Sequence, residues 1–242
     1  MAEEMTHKFS MQELLERLYR YFEVTACLSD AETISPNTSK SVSGTAVDIR
    51  NVENFAIQFV VGEDIDKPTN VTCTVTNAGT TPDTTYYFVV TAVTEDGYES
   101  AISDEVNTGS IDPDGGATYT VSWDAVDGAS KYRVYRGTSS GNYTEYTETT
   151  ETSIDETATY NNGSIPDTRT VTFYFYTSPD GSTWDTVAWK SHSVTSTPGE
   201  KTVQTIDTYC YSGYIKLGKV ENSGTNTGDT VTNVNAYIIR KE

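Results

Sequence analysis

Tyr86-Tyr87-Phe88-Val89-Val90-Thr91-Ala92-Val93 alternates with a period of two, which puts Tyr86, Phe88, Val90 and Ala92 on one face of a strand. The polar run TEDGYES at 94–100 follows as a turn, and a partner strand is expected near 102–106. Further on, Tyr119, Val121 and Trp123 repeat the alternation. DAVDGASKYRVYRG at 124–137 then supplies a turn and a strand with Tyr132 and Val134 inward. Gly, Asn, Asp and Ser clusters interrupt the chain about every 8–12 residues, the rhythm of antiparallel sandwiches. From residue 44 onward the chain reads as all-β.

The flanks of this region carry strands of their own. Within 44–61, Phe55, Ile57, Phe59 and Val61 share one face, with Ala56, Gln58 and Val60 on the other. After residue 160, Val171, Phe173 and Phe175 alternate with Thr172, Tyr174 and Tyr176. SPDGSTW at 178–184 reads as a tight hairpin turn with Asp180-Gly181 at its tip and Trp184 returning to the core. Later strands are expected over 201–206, 214–220 and 231–240, with ENSGTNTGDT at 221–230 as a long exposed turn. Two strands alone are marginal in water, so 44–65 is expected to join 161–242 in one split sandwich. Residues 66–160 then form a second sandwich inserted into a loop of the first.

The N-terminus reads differently. Ser10 with Glu13 makes a capping box, and Phe9 facing Leu14 makes a hydrophobic staple. Met11, Leu14, Leu15, Leu18 and Phe22 recur as one stripe of a helix predicted over 11–24. That stripe has two uses: covering an open end of its own sandwich, or docking on another subunit. The polar linker SDAETISPNTSKSVSG at 29–44 and the large aromatics favour docking, so 1–43 is read as helix, linker and anchor.

Composition narrows the function. The chain has 242 residues, room for one large or two small domains, and a formal net charge of −19. Such a surface repels phosphate backbones and anionic lipid, so neither nucleic acid nor membrane is an expected partner. No apolar run approaches the ~18–20 residues needed to span a bilayer, and 1–30 carry no secretory signal. Three cysteines, Cys27, Cys73 and Cys210, cannot form a complete disulfide framework and lack metal-ligand spacing. Reduced thiols point to folding in a cytoplasm.

Catalytic chemistry is sparsely supplied. His7 and His192 are the only histidines, and neither a nucleophile elbow nor a Gly-rich phosphate loop precedes a helix. No enzyme activity, metal or cofactor is expected. The acidic turns Glu63-Asp64-Ile65-Asp66 and Asp112-Pro113-Asp114-Gly115-Gly116 carry Ca²⁺-type oxygen ligands, yet the second is also ordinary turn chemistry and EF-hand spacing is absent. The aromatics are more informative. Tyr174 and Tyr176 lie opposite Phe173 and Phe175, so both faces of that strand are aromatic. Three readings stay open for them: burial between sheets or under the inserted module, a subunit interface, and a platform for stacking sugars.

The stretch TTYYFVVTAVTEDGYES followed by YTVSWDAVDGASKYRVYRGTSSGNY resembles fibronectin type III and Ig-like modules of tailed-bacteriophage virion proteins. VSW and YRVYR look like that family's B and C strands, and YYFVVTAVTEDGYES like its F–G hairpin, here placed first as in a permuted module. TVTFYFYTSPDGSTW and VTNVNAYI are similar to sandwich domains of phage head, neck and tail accessory proteins. The resemblance implies a virion structural protein, assembled in the host cytoplasm as a decoration, fibre or neck/tail subunit. Its partners would be capsid, neck or tail proteins and further copies of itself. A carbohydrate- or receptor-binding module for host adsorption, with a host surface glycan as ligand, is the other reading.

Overall fold

The computed structural model describes residues 22–241 apart from Asn51 and Glu53. The first strands are β1 (Phe22–Ala26), β2 (Glu32–Ile34), β3 (Thr38–Ser41), β4 (Val47–Asp48) and β5 (Phe55–Val61). The middle of the chain carries β6 (Thr72–Asn77), β7 (Tyr87–Val93), β8 (Val106–Asn107) and β9 (Thr118–Ser122). It continues with β10 (Lys131–Gly137), β11 (Glu145–Thr149), β12 (Ser153–Asp155) and β13 (Asn161–Asn162). The last third supplies β14 (Arg169–Ser178), β15 (Lys190–Ser196), β16 (Thr202–Thr208), β17 (Tyr214–Asn222) and β18 (Val231–Lys241). The chain is all-β over the described residues, and these strands pair antiparallel.

Two sheets are built from both ends of the described chain. One runs β1-β18-β5-β16 with β2 beside β18, and the other β15-β14-β17-β3 with β4 beside β17. Their inward residues meet in one core: Phe55, Ile57, Phe59 and Val61 of β5 against Val171, Phe173 and Phe175 of β14. The Phe59 ring lies 4.9 Å from Phe173 and stacks on His192 at 4.6 Å. His192 is thus half-buried in β15 with its ring laid against this core. Burying a side chain the size of Phe59 stabilises the fold by about 1.5–3 kcal/mol.

Two further sheets come from the middle of the chain. They run β13-β11-β10-β7-β8 and β12-β9-β6, with β7 beside β10 in space although β8 and β9 lie between them in sequence. Their shared core holds Phe88, Val90 and Ala92 with Tyr119, Val121, Trp123, Tyr132 and Val134. The period-two alternation of 86–93 and 119–134 is the cause, since every second side chain points the same way.

The structure departs from the sequence expectations in four places. Phe22 opens strand β1, paired with Lys241, so residues 22–24 are extended and not the end of a helix. Met11, Leu14, Leu15 and Leu18 lie outside the described residues, as does His7. The expected linker at 29–44 carries β2 and β3 and lends Ile34 and Val42 to the core, because the edges of β18 and β17 offer unpaired backbone groups. The 178–184 segment is not a tight hairpin. Trp184 stays half-buried outside the core with the Lys216 ammonium 4.3 Å from its ring, and Trp189 packs on the core instead.

The fourth departure concerns 221–230, which is pinned and largely covered. The Asn222 amide donates to the carbonyls of Ile34, Ser35 and Asp229, and the Asp229 carboxylate accepts from the amides of Asp167 and Asn226. Asn and Asp side chains that cap their own loop in this way compete with solvent and fix the turn.

Candidate functional site

Two places concentrate chemistry, one at each end of β5. At its C-terminal end the middle of the chain leaves and returns, and a buried polar joint forms there. Glu99 has no solvent exposure. Its carboxylate accepts from the Arg133 guanidinium at 2.7 Å, the Tyr135 hydroxyl at 2.6 Å and the Thr91 hydroxyl at 2.5 Å. Thr91, Arg133 and Tyr135 sit on the face of β7 and β10 opposite the core, an arrangement the strand period dictates. Burial opposes the charge of Arg133, yet Glu99 and Glu148 beside it outweigh that and raise its pKa. Burial and the neighbouring Glu99 charge push the Tyr135 hydroxyl far up, so it remains a donor.

This joint reaches across to the other pair of sheets. Arg133 also approaches the Thr227 carbonyl at 3.4 Å, and the Glu99 carbonyl accepts from the Gly199 amide at 3.0 Å. Tyr98, fully buried, donates its hydroxyl to the carbonyls of Thr197 and Glu200 at 2.7 and 2.9 Å. The Arg169 guanidinium lies 5.3 Å from the Tyr98 ring. Gly199 has φ +77°, and a Cβ there would stand 2.8 Å from the Ile65 carbonyl oxygen, so only glycine fits the close approach.

The other end of β5 is a pole of different character. Phe55 pairs with Arg240 on one side and Thr208 on the other, and Arg240 pairs with Glu23. The start of β1 and the ends of β16 and β18 therefore share this edge. Just past Thr208, Tyr209 and Tyr211 are 60% and 96% exposed, with ring centroids 5.6 Å apart at 60°. Tyr211 borders an open depression floored by Ile49, Val52, Pro179 and Cys210. At its rim Arg50 is paired with Asp48 at 2.6 Å and lies over the Tyr214 ring at 5.0 Å. The hydrogen bonds from Arg50 hold Asp48 down at about 2.

The tyrosines singled out in the sequence lie elsewhere. Tyr174 and Tyr176 are half-buried on the outer face of β14. The Tyr174 hydroxyl donates to Glu221, and Lys219 stands 3.8 Å from the centre of its ring. The Tyr176 ring covers Gly218, the extra residue of a bulge in β17. These rings are joined to Lys219 and Glu221 rather than to the pole or the joint. Tyr209 and Tyr211 were missed because an alternating YCY segment reads as an ordinary strand; no local signal marks its exposure.

The acidic turns are held by the protein's own donors. Both oxygens of Asp112 are used: Oδ2 accepts from the Thr80 and Thr81 hydroxyls and the Thr81 amide, and Oδ1 from the Gly115 amide. The Thr81 hydroxyl leads in holding its pKa at about 2. Glu63 accepts from the Thr232 hydroxyl, and Asp64 from the Lys201 amide. Among the described residues no group of three or more His, Cys, Asp and Glu side chains gathers as a metal site. Cys27, Cys73 and Cys210 are free thiols, and burial pushes Cys27 up to about 12. Compared with family models, with curated proteins and with solved structures, the chain matches none.

Proposed function

We propose that this chain is a structural subunit of a tailed-phage virion, acting by protein–protein assembly. In this reading it consists of two sandwich modules. Residues 66–160 are a fibronectin type III-like module inserted into a framework of 22–65 and 161–242, and the N-terminal region serves as the anchor. The strand order β11-β10-β7-β8 facing β12-β9-β6 supports the module assignment, since sandwich packing depends on neighbours in space more than on chain order.

The observation that carries the reading is the Glu99–Arg133 joint. A buried pair with two hydroxyls and the Thr227 carbonyl around it supports a fixed angle between modules, as a building block requires. Phe22, where the described residues begin, and the exposed Tyr209–Tyr211 pair lie at the opposite pole, which in this reading faces the particle while the inserted module projects. Aromatic rings with wet hydroxyls are frequent at subunit interfaces. Size-exclusion chromatography with light scattering, together with proteomics of gradient-purified particles, tests the proposal. Oligomers or particle-bound chain are expected; a strict monomer absent from particles would overturn it.

A further inference from the structure

We infer that one end of the core shared by β5 and β14 binds a small monovalent anion, of the chloride class, between the Arg169 guanidinium and the Ser196 hydroxyl. This goes beyond the virion reading and does not depend on it. Arg169 and Ser196 are direct cross-strand partners in β14 and β15. Both point inward, in step with Val171 and Phe173 on one strand and Val194 on the other. Side chains so placed have Cβ atoms about 4.5–5.5 Å apart. The two apolar stripes therefore end on polar groups inside the sandwich, 3% and 0% exposed.

Neither group is fully used there. Arg169 donates through Nη1 to the Asp167 carbonyl at 3.1 Å and through Nη2 to the Thr230 carbonyl at 3.0 Å. Its Nε and the Ser196 Oγ have no hydrogen-bond partner. The neighbouring carboxylates are engaged elsewhere: Glu99 by Arg133, Tyr135 and Thr91, and Asp229 by the amides of Asp167 and Asn226. Burial leads in lowering the Arg169 pKa, against the pull of Tyr98, Asp229 and Glu99, so its charge is only partly balanced. A buried charge ordinarily carries a directly paired group.

Tyr98 closes the compartment. Its ring lies 5.3 Å from Arg169, and its hydroxyl is committed to the Thr197 and Glu200 carbonyls. The packing is close, since a Cβ on Gly62 would stand 2.6 Å from the Tyr98 oxygen. Two unused donors beside a partly balanced cation select an acceptor that carries negative charge. Walls this enclosed admit a single-atom ion in preference to a phosphate or a carboxylate. An ion bound here lies under the residue through which the middle of the chain grips the 197–200 connection, so its binding strengthens that joint.

The test melts the full chain in sodium chloride and in sodium gluconate at matched ionic strength, gluconate being too large for the site. Between about 10 and about 300 mM chloride the melting temperature should rise by about 4 °C or more beyond the gluconate series. Ser196→Ala should lose more than half of that gain, whereas Thr195→Ala, at an exposed neighbour, should keep it. Crystals of the unaltered chain grown in sodium bromide should show an anomalous peak within hydrogen-bond distance of Arg169 Nε and Ser196 Oγ. Equal melting in the two salts, an undiminished gain in Ser196→Ala, or a water where the bromide is expected would each overturn the inference.

Discussion

Glu99 and Arg133 form a buried ion pair, 2.7 Å apart, at the junction where the middle of the chain meets the sheets built from its two ends. The carboxylate is fully enclosed and the guanidinium 14% exposed, so removing Arg133 strands the Glu99 charge in a low-dielectric site, and removing Glu99 leaves Arg133 with Glu148 as its remaining ion-pair partner. Glu99→Gln or Arg133→Met should each cost about 3–5 kcal/mol. Replacing both by apolar residues of similar volume should cost clearly less than the two single changes together. Urea unfolding of the four proteins of this cycle checks it; additive losses would mean that the pair is not coupled.

Acid should loosen the loops before it reaches the core. Asp112 and Asp48 titrate at about 2 in the folded protein, and Asp180 lies well below the usual range because the Thr183 and Ser182 amides donate to it. Each is depressed below its unfolded value of about 3.9, so its contribution is complete above that pH and is lost as pH falls toward the folded value. Melting temperature should be flat from pH 7 to 5 and drop between about pH 4 and 2. In Asp112→Asn the starting value should be lower and the acid drop shallower. An identical slope in the variant would show that Asp112 is not a contributor.

Phe59 sits between Phe173, Phe175 and His192 with no exposure. Phe59→Ala removes those contacts and leaves a cavity, so a loss of about 3–5 kcal/mol is expected. Val187, 77% exposed, gives the contrast: Val187→Ser should change stability by no more than about 0.5 kcal/mol. Equal effects in chemical denaturation would contradict the assignment of the core.

Two glycines with the same backbone conformation should respond differently. Gly128 has φ +81° and nothing within 4 Å of an added Cβ, whereas Gly199, at φ +77°, has the Ile65 carbonyl oxygen at 2.8 Å. Gly128→Ala should cost about 1–2 kcal/mol from conformation alone. Gly199→Ala should cost more and expose the Tyr98 hydroxyl contacts to exchange. Hydrogen exchange at 197–201 distinguishes the two.

The strands were legible wherever one face is buried, because a period of two leaves its mark on every second residue. Val171, Phe173 and Phe175 announce β14, and Tyr119, Val121 and Trp123 announce β9. What sequence could not display is pairing at a distance. Glu99 sits in a polar turn motif, TEDGYES, which reads as solvated; only the meeting of β7, β10 and the 197–200 and 227–228 loops encloses it. The 221–230 loop looked exposed for the same reason, since its Gly and Asn content suits a turn whether or not anything lies over it. Phe22 matched the helical stripe by spacing, but the open edge of β18 claims it for a strand. Trp184 reads as returning to the core, but the 179–189 connection is long enough to leave it outside and bring Trp189 there instead.

Cryo-electron microscopy of gradient-purified particles bears most directly on the proposed assembly role. The expected density is a two-module subunit whose Phe22–Tyr211 pole contacts the particle, with residues 66–160 outermost. Particles without such density, and the chain recovered only as a free monomer in the lysate, would contradict it.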